Sequence, residues 1–138
     1  MQHIHFFYRQ ELPVPGSLAK AVTYPACEWR PPEGDTTLAT QDPLNRYVCS
    51  WLTSDMAEVS RCDEVLAAIA QLAPHAIQEW FADGDMWCVD LKPSGVQFNP
   101  SHVGPEDTAY WNQAEGSFDL KDVQTLLQHW RDFLVQRG

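Results

Sequence analysis

Two imidazoles stand two residues apart at His3 and His5. On a strand that spacing puts both rings on one face, where they could share a metal ion if further ligands came from elsewhere. His75, His102 and His129 add no convergent ligand spacing, so the pair reads as a solvated edge and no metal is expected. The thiols are Cys27, Cys49, Cys62 and Cys88, with no Cys-x-x-Cys among them, so a zinc ribbon or redox motif has no support. Four reduced thiols behaving as small buried hydrophobes are expected. Cys88 or Cys49 with His102 would make a nucleophile and a base, but any chain with four Cys and five His permits such a pairing. Gly-x-Ser-x-Gly, a phosphate-cradling glycine loop and His-Glu-x-x-His are all absent. Asp83 and Asp85 resemble a carboxylate pair, yet they flank Gly84 where turn chemistry alone explains them. No catalytic residue and no cofactor are therefore assigned, and an enzyme is not expected.

Charge and aromatic rings carry more information. Between Glu79 and Asp122 lie Glu79, Asp83, Asp85, Asp90, Glu106, Asp107, Glu115, Asp119 and Asp122 against Lys92 and Lys121 alone. Seven of the chain's ten net negative charges thus fall in 44 residues, interleaved with Trp80, Phe81, Trp87, Phe98, Tyr110, Trp111 and Phe118. Rings supply contact area and acids supply steering, a combination suited to a basic partner. The same composition also fits an acidic domain whose rings fill its core. The segment Pro105 to Asn112 sharpens the choice, because it sets Tyr110 beside Trp111 in a polar loop with little periodicity. Either Trp111 plugs the core and Tyr110 lies across a helix, or the pair is an anchor framed by Glu106, Asp107 and Glu115.

The elements that position these residues follow from period and punctuation. His3 to Tyr8 alternates as a strand, with Ile4, Phe6 and Tyr8 on one face. Pro25 to Pro43 reads as a long loop, with a short strand before it around Ala21 to Tyr24. Arg46 to Thr53 is rich in β-formers and reads as a strand. Val59, Cys62, Leu66, Ile69 and Ala73 line one face of a helix that Pro74 stops. Ala76–Ala82 and Met86–Leu91 flank Asp83-Gly84-Asp85 as a hairpin in which Gly84 takes positive φ, and Val96–Phe98 adds a third strand. Asn99 to Ser117 is a second long loop. Leu120, Val123, Leu127, Trp130 and Leu134 then mark a closing helix capped by Asp119. The expected fold is α+β: an antiparallel sheet of four to five short strands packed against two helices, with two long loops. At 138 residues it is one domain, spanning 1–138.

A sequence pI near 4.7 and nine scattered basic residues argue against nucleic acid as a ligand. No apolar run approaches the roughly 18–20 residues that span a bilayer, so no membrane partner is expected. Met1 to His5 lacks the basic and apolar regions of a signal peptide, which points to the cytoplasm. The hairpin Trp80-Phe81-Ala82-Asp83-Gly84-Asp85-Met86-Trp87, the turn Pro93-Ser94-Gly95-Val96 and the closing helix Leu120 to Leu134 carry a resemblance. In style this C-terminal half resembles the small acidic immunity proteins of bacterial polymorphic-toxin and contact-dependent inhibition systems. The resemblance implies a non-enzymatic protein that binds and neutralises one cognate toxin domain, often a basic nuclease. Under it the partner-binding residues are Asp83, Asp85, Glu106, Asp107, Tyr110, Trp111 and Glu115. Two other readings stay open: a secretion chaperone or adaptor, and a small enzyme without a recognisable motif.

Overall fold

In a computed structural model, which describes residues 2–16, 18, 20–32, 39–72 and 74–137 (side chains of 40 and 137 excepted), the α+β class is as expected. Helix α3, at Leu120–Arg137, begins where anticipated: Asp119 Oδ2 accepts the Asp122 N–H at 3.2 Å and caps it. Its stripe of Leu120, Val123, Leu126, Leu127, Trp130 and Leu134 is buried. Helix α2, at Val59–Leu72, buries Cys62, Val65, Ala68, Ile69 and Leu72. Ala73, expected at the end of that stripe, lies outside the described residues.

These helices share a core with one face of a four-stranded antiparallel sheet. Its strands are β3 Trp80–Asp83, β4 Trp87–Lys92, β5 Gly95–Pro100 and β6 Ser117–Phe118, in that order. The register pairs Ala82 with Val89, Val89 with Phe98, and Leu91 with Val96. All five side chains are buried, as the pleat demands of one covered face. Phe81, Asp83, Cys88, Asp90 and Gln97 therefore belong to the other face.

The N-terminal strands do not join this sheet. β1 Ile4–Glu11 and β2 Val22–Trp29 form a separate antiparallel ribbon, paired from Ile4 with Trp29 to Glu11 with Val22. Phe6 sets its ring edge against Trp130 at 5.3 Å, and Tyr8 stacks on Phe133 at 5.0 Å, fastening the ribbon to α3. Phe7, on the opposite face, lies beneath the guanidinium groups of Arg9 and Arg30.

Two expectations need correction. The short strand around Ala21–Tyr24 continues through Pro25 to Trp29, into the stretch read as a loop. A two-stranded ribbon is all edge, so a residue lacking an N–H can face the unpaired side. Arg46 to Thr53 is helical rather than a strand: a π-helical stretch, Leu44–Cys49, runs into helix α1 at Ser50–Asp55. Tyr47, Val48, Trp51 and Leu52 are all buried, and their spacing of i, i+1, i+4 and i+5 makes one helical face. Packing of that face outweighs the β preference of its residue types.

Candidate functional site: the hairpin tip and the 101–116 loop

The turn between β3 and β4 is held from outside by one carboxylate. Asp55, at the end of α1, accepts the Trp87 N–H at 2.9 Å and the Met86 N–H at 3.2 Å. Gly84 N–H bonds to Trp87 O at 2.9 Å within the turn, and the Arg61 guanidinium donates to Asp83 O at 2.8 Å. Gly84 is not at positive φ, contrary to expectation; the described glycines with positive φ are Gly16 and Gly95. Glycine suits position 84 for another reason: a Cβ there would collide with the Asp55 carboxylate and push it from its clamping position. The tip is thus fixed in place, with Asp83 and Asp85 both exposed. A recess of about 310 Å³ opens beside it, lined by Ser54, Asp55, Glu58, Arg61 and Asp85 among others.

The loop after β5 is tied to this tip. Ser101 donates through its N–H to Met86 O at 3.1 Å and through its hydroxyl to Asp85 O at 2.7 Å. Farther on, the loop folds onto the outer face of the sheet. Asn99, the one buried polar residue among those described, accepts the Asn112 N–H at 2.8 Å, and Gln97 Nε2 donates to Gln113 O at 2.9 Å. Trp111 closes the loop on itself by donating its indole N–H to Val103 O at 2.8 Å. The Tyr110 and Trp111 N–H groups both bond to Asp107 O at 3.1 Å, a tight turn that leaves Tyr110 58% exposed.

The candidate residues separate accordingly. Asp83 and Asp85 on the tip share a hydrogen-bonded junction with the loop that presents Glu106, Asp107 and Tyr110. Trp111 is half-buried and acts as the loop's internal brace. It does not plug the core formed by α2, α3 and the sheet. Glu115 is drawn away to Arg46, at 2.8 Å, so its charge is already compensated. Two further exposed apolar side chains accompany the tip, Phe81 at 46% and Met86 at 51%. Strand alternation in the sequence put Phe81 opposite Trp80, but not which face the helices cover. A second exposed apolar set, Leu12, Val14, Leu18 and Val22, marks the far end of the β1–β2 ribbon, and residues 12–22 carry no acid.

Electrostatics on the sheet's outer face are unusual at Asp90. Its side chain is 15% exposed, and burial raises its carboxyl to about 6; a hydrogen bond with Glu79 adds to this and Lys92, at 3.5 Å, opposes it. Cys88 is pushed up to about 12, first by burial and then by a hydrogen bond to Asp83, so it stays a thiol at neutral pH. Burial likewise raises Cys62 to about 11, and its thiol donates to Met56 O at 3.3 Å. Protonated thiols are weak nucleophiles. Among the described residues no three His, Cys, Asp or Glu side chains gather as metal ligands, and no helix is long and apolar enough to cross a membrane. No protein-family model matches this chain, and neither a curated protein nor a solved structure matches it.

Proposed function

We propose that this protein is a non-enzymatic binding protein that takes a basic protein partner on the hairpin tip and the 101–116 loop. In its most specific form it is a cytoplasmic immunity protein that neutralises a cognate toxin domain. The observation that carries the reading is Tyr110. A tyrosine 58% exposed on a loop braced by Trp111 keeps a large ring in water, where only a partner would cover it. Phe81 on β3 and Met86 at the tip are also exposed, and Asp83, Asp85, Glu106 and Asp107 add negative charge to the same two segments. Glu115 contributes less, because Arg46 neutralises it. The tip and loop are cross-bonded, so little ordering entropy is lost when a partner docks, and affinity benefits from that preorganisation.

The test is co-expression with the product of the reading frame immediately upstream of this gene. That product should arrest growth when expressed alone and be tolerated when this chain is present. It should also bind this chain in purified form. An upstream product that is harmless and does not bind would remove the immunity reading.

A further inference from the structure

We infer that Cys27 and Cys49 form a peroxide-sensitive dithiol, a modification site at which an intramolecular disulfide fastens the β1–β2 ribbon to the helical run at 44–55. Cys27 lies on β2 and Cys49 ends the π-helical stretch, and the Cys27 thiol donates to Cys49 Sγ at 3.1 Å. A disulfide needs about 2.05 Å, so the two side chains together must close roughly 1 Å. The neighbouring backbone already holds this junction. Cys27 N–H donates to Thr53 Oγ1 at 3.2 Å, Trp29 N–H donates to Asn45 Oδ1 at 2.7 Å, and Asn45 Nδ2 returns a bond to Trp29 O at 2.9 Å. The sulfurs therefore sit in a fixed junction and not in two segments that must find each other.

The pair is also reachable. Cys27 is 8% exposed and Cys49 2%, but both line a surface cleft of about 370 Å³ with Arg9, Glu28, Asn45 and Thr53. That volume admits a small peroxide. The other two cysteines lack a sulfur neighbour: Cys62 donates to Met56 O, and Cys88 is hydrogen-bonded to Asp83. Their oxidation would stop at an oxyacid, whereas that at Cys27 and Cys49 proceeds to a bond.

The chemistry balances with hydrogen peroxide as the oxidant. One sulfur, having lost its proton, attacks a peroxide oxygen; the O–O bond breaks and the departing hydroxide takes that proton as water. The sulfenic acid left behind is attacked by the second sulfur. An S–S bond forms, the S–O bond breaks, and the leaving hydroxide takes the second thiol proton as another water. Two thiols and one peroxide become one disulfide and two waters. The hydrogen bond between the thiols, with burial, holds the Cys27 proton strongly, so the first step is slow at neutral pH and should quicken as pH rises.

The experiment treats the purified full chain with hydrogen peroxide and follows intact mass, peptide linkage and melting. The expected product is lighter by about 2 Da, the mass of the two hydrogens lost when thiols become a disulfide. Mapping should link Cys27 to Cys49, and melting should rise by about 10 °C, as closing a loop of this span implies. Dithiothreitol should reverse all three changes. Cys49→Ser should abolish the linkage and the rise, and Cys88→Ser should keep both. Should Cys49→Ser fail to fold, alkylation of the wild-type chain before and after peroxide reads the same pair directly. Oxygen adducts confined to Cys88, a linkage that includes Cys62 or Cys88, or Cys27 and Cys49 still fully alkylated after peroxide would each overturn the proposal.

Discussion

Replacing Trp130 should injure the fold more than any other single change on α3, and the injury can be divided. The side chain is fully buried, its ring meets Phe6 at 5.3 Å and Phe133 at 5.7 Å, and its indole N–H donates to Met56 O at 2.7 Å. It thereby joins three parts of the chain: the ribbon, the closing helix and the connection between α1 and α2. Truncation to alanine removes the buried ring for about 3–5 kcal/mol. Losing the indole donor leaves Met56 O with the weaker Cys62 thiol alone, which adds about 1 kcal/mol. Unfolding entropy near 2.1 cal/mol/K per residue makes 1 kcal/mol worth roughly 3–4 °C for a chain of 138 residues. Trp130→Ala should then melt about 14–20 °C below the parent. Trp130→Phe keeps most of the ring and loses the N–H, and should fall by about 5–10 °C, from the lost indole bond to Met56 O, which keeps only the Cys62 thiol, and a small void. The assay is thermal melting by circular dichroism, with a chemical denaturation series as a check on two-state behaviour. An alanine variant within 3 °C of the parent would refute the placement of Trp130. A phenylalanine variant indistinguishable from the parent would show that the bond to Met56 contributes nothing.

Asp90→Asn tests the raised carboxyl. With the folded value near 6 and the ordinary value 3.8, the native state holds the proton more tightly, so this group's contribution is complete below about pH 4 and is lost as pH rises through 6. Melting of Asp90→Asn should therefore gain on the parent between pH 4 and 7, by on the order of 1–2 kcal/mol once solvent screening by the exposed Glu79 and Lys92 is allowed for; a constant difference across that range would contradict it. Asp55→Ala should release the hairpin tip, costing about 1.5–3 kcal/mol and hastening amide exchange at Met86 and Trp87; unchanged exchange there would show that the clamp is dispensable. Association with the proposed basic partner should slow markedly between about 50 and 500 mM salt as the carboxylates are screened, and a flat rate would remove steering.

How much of this was legible beforehand depended on whether periodicity and packing agreed. The stripe of α3, the Asp119 cap and the strands around Val89 and Phe98 rest on local spacing, and they appear where spacing put them. On α2 only Cys62 and Ile69 of the expected stripe are fully buried, with Val65, Ala68 and Leu72 buried beside them and Val59 and Leu66 half-buried. At Tyr47, Val48, Trp51 and Leu52 the residue types favoured a strand while their spacing suited a helix, and burial decided for the spacing. Pro25 hid the second half of β2, because a strand tolerates proline only where its pairing leaves an edge. The site was legible in composition but not in geometry. Glu115 is neutralised by Arg46, 69 residues earlier in the chain, and the tip is clamped by Asp55, 31 residues before Met86. Contacts of that span leave no local pattern to read.

Tyr110 carries the functional proposal, and one paired measurement weighs it: melting temperature and affinity for the upstream-encoded protein, taken on Tyr110→Ala and on Glu106→Lys with Asp107→Lys. An exposed ring at the centre of an interface predicts near-parental melting for Tyr110→Ala, with affinity reduced about thirtyfold or more. The double charge reversal should chiefly lower the association rate. A Tyr110→Ala protein that melts far below the parent yet binds with parental affinity would contradict the claim that this loop faces a partner.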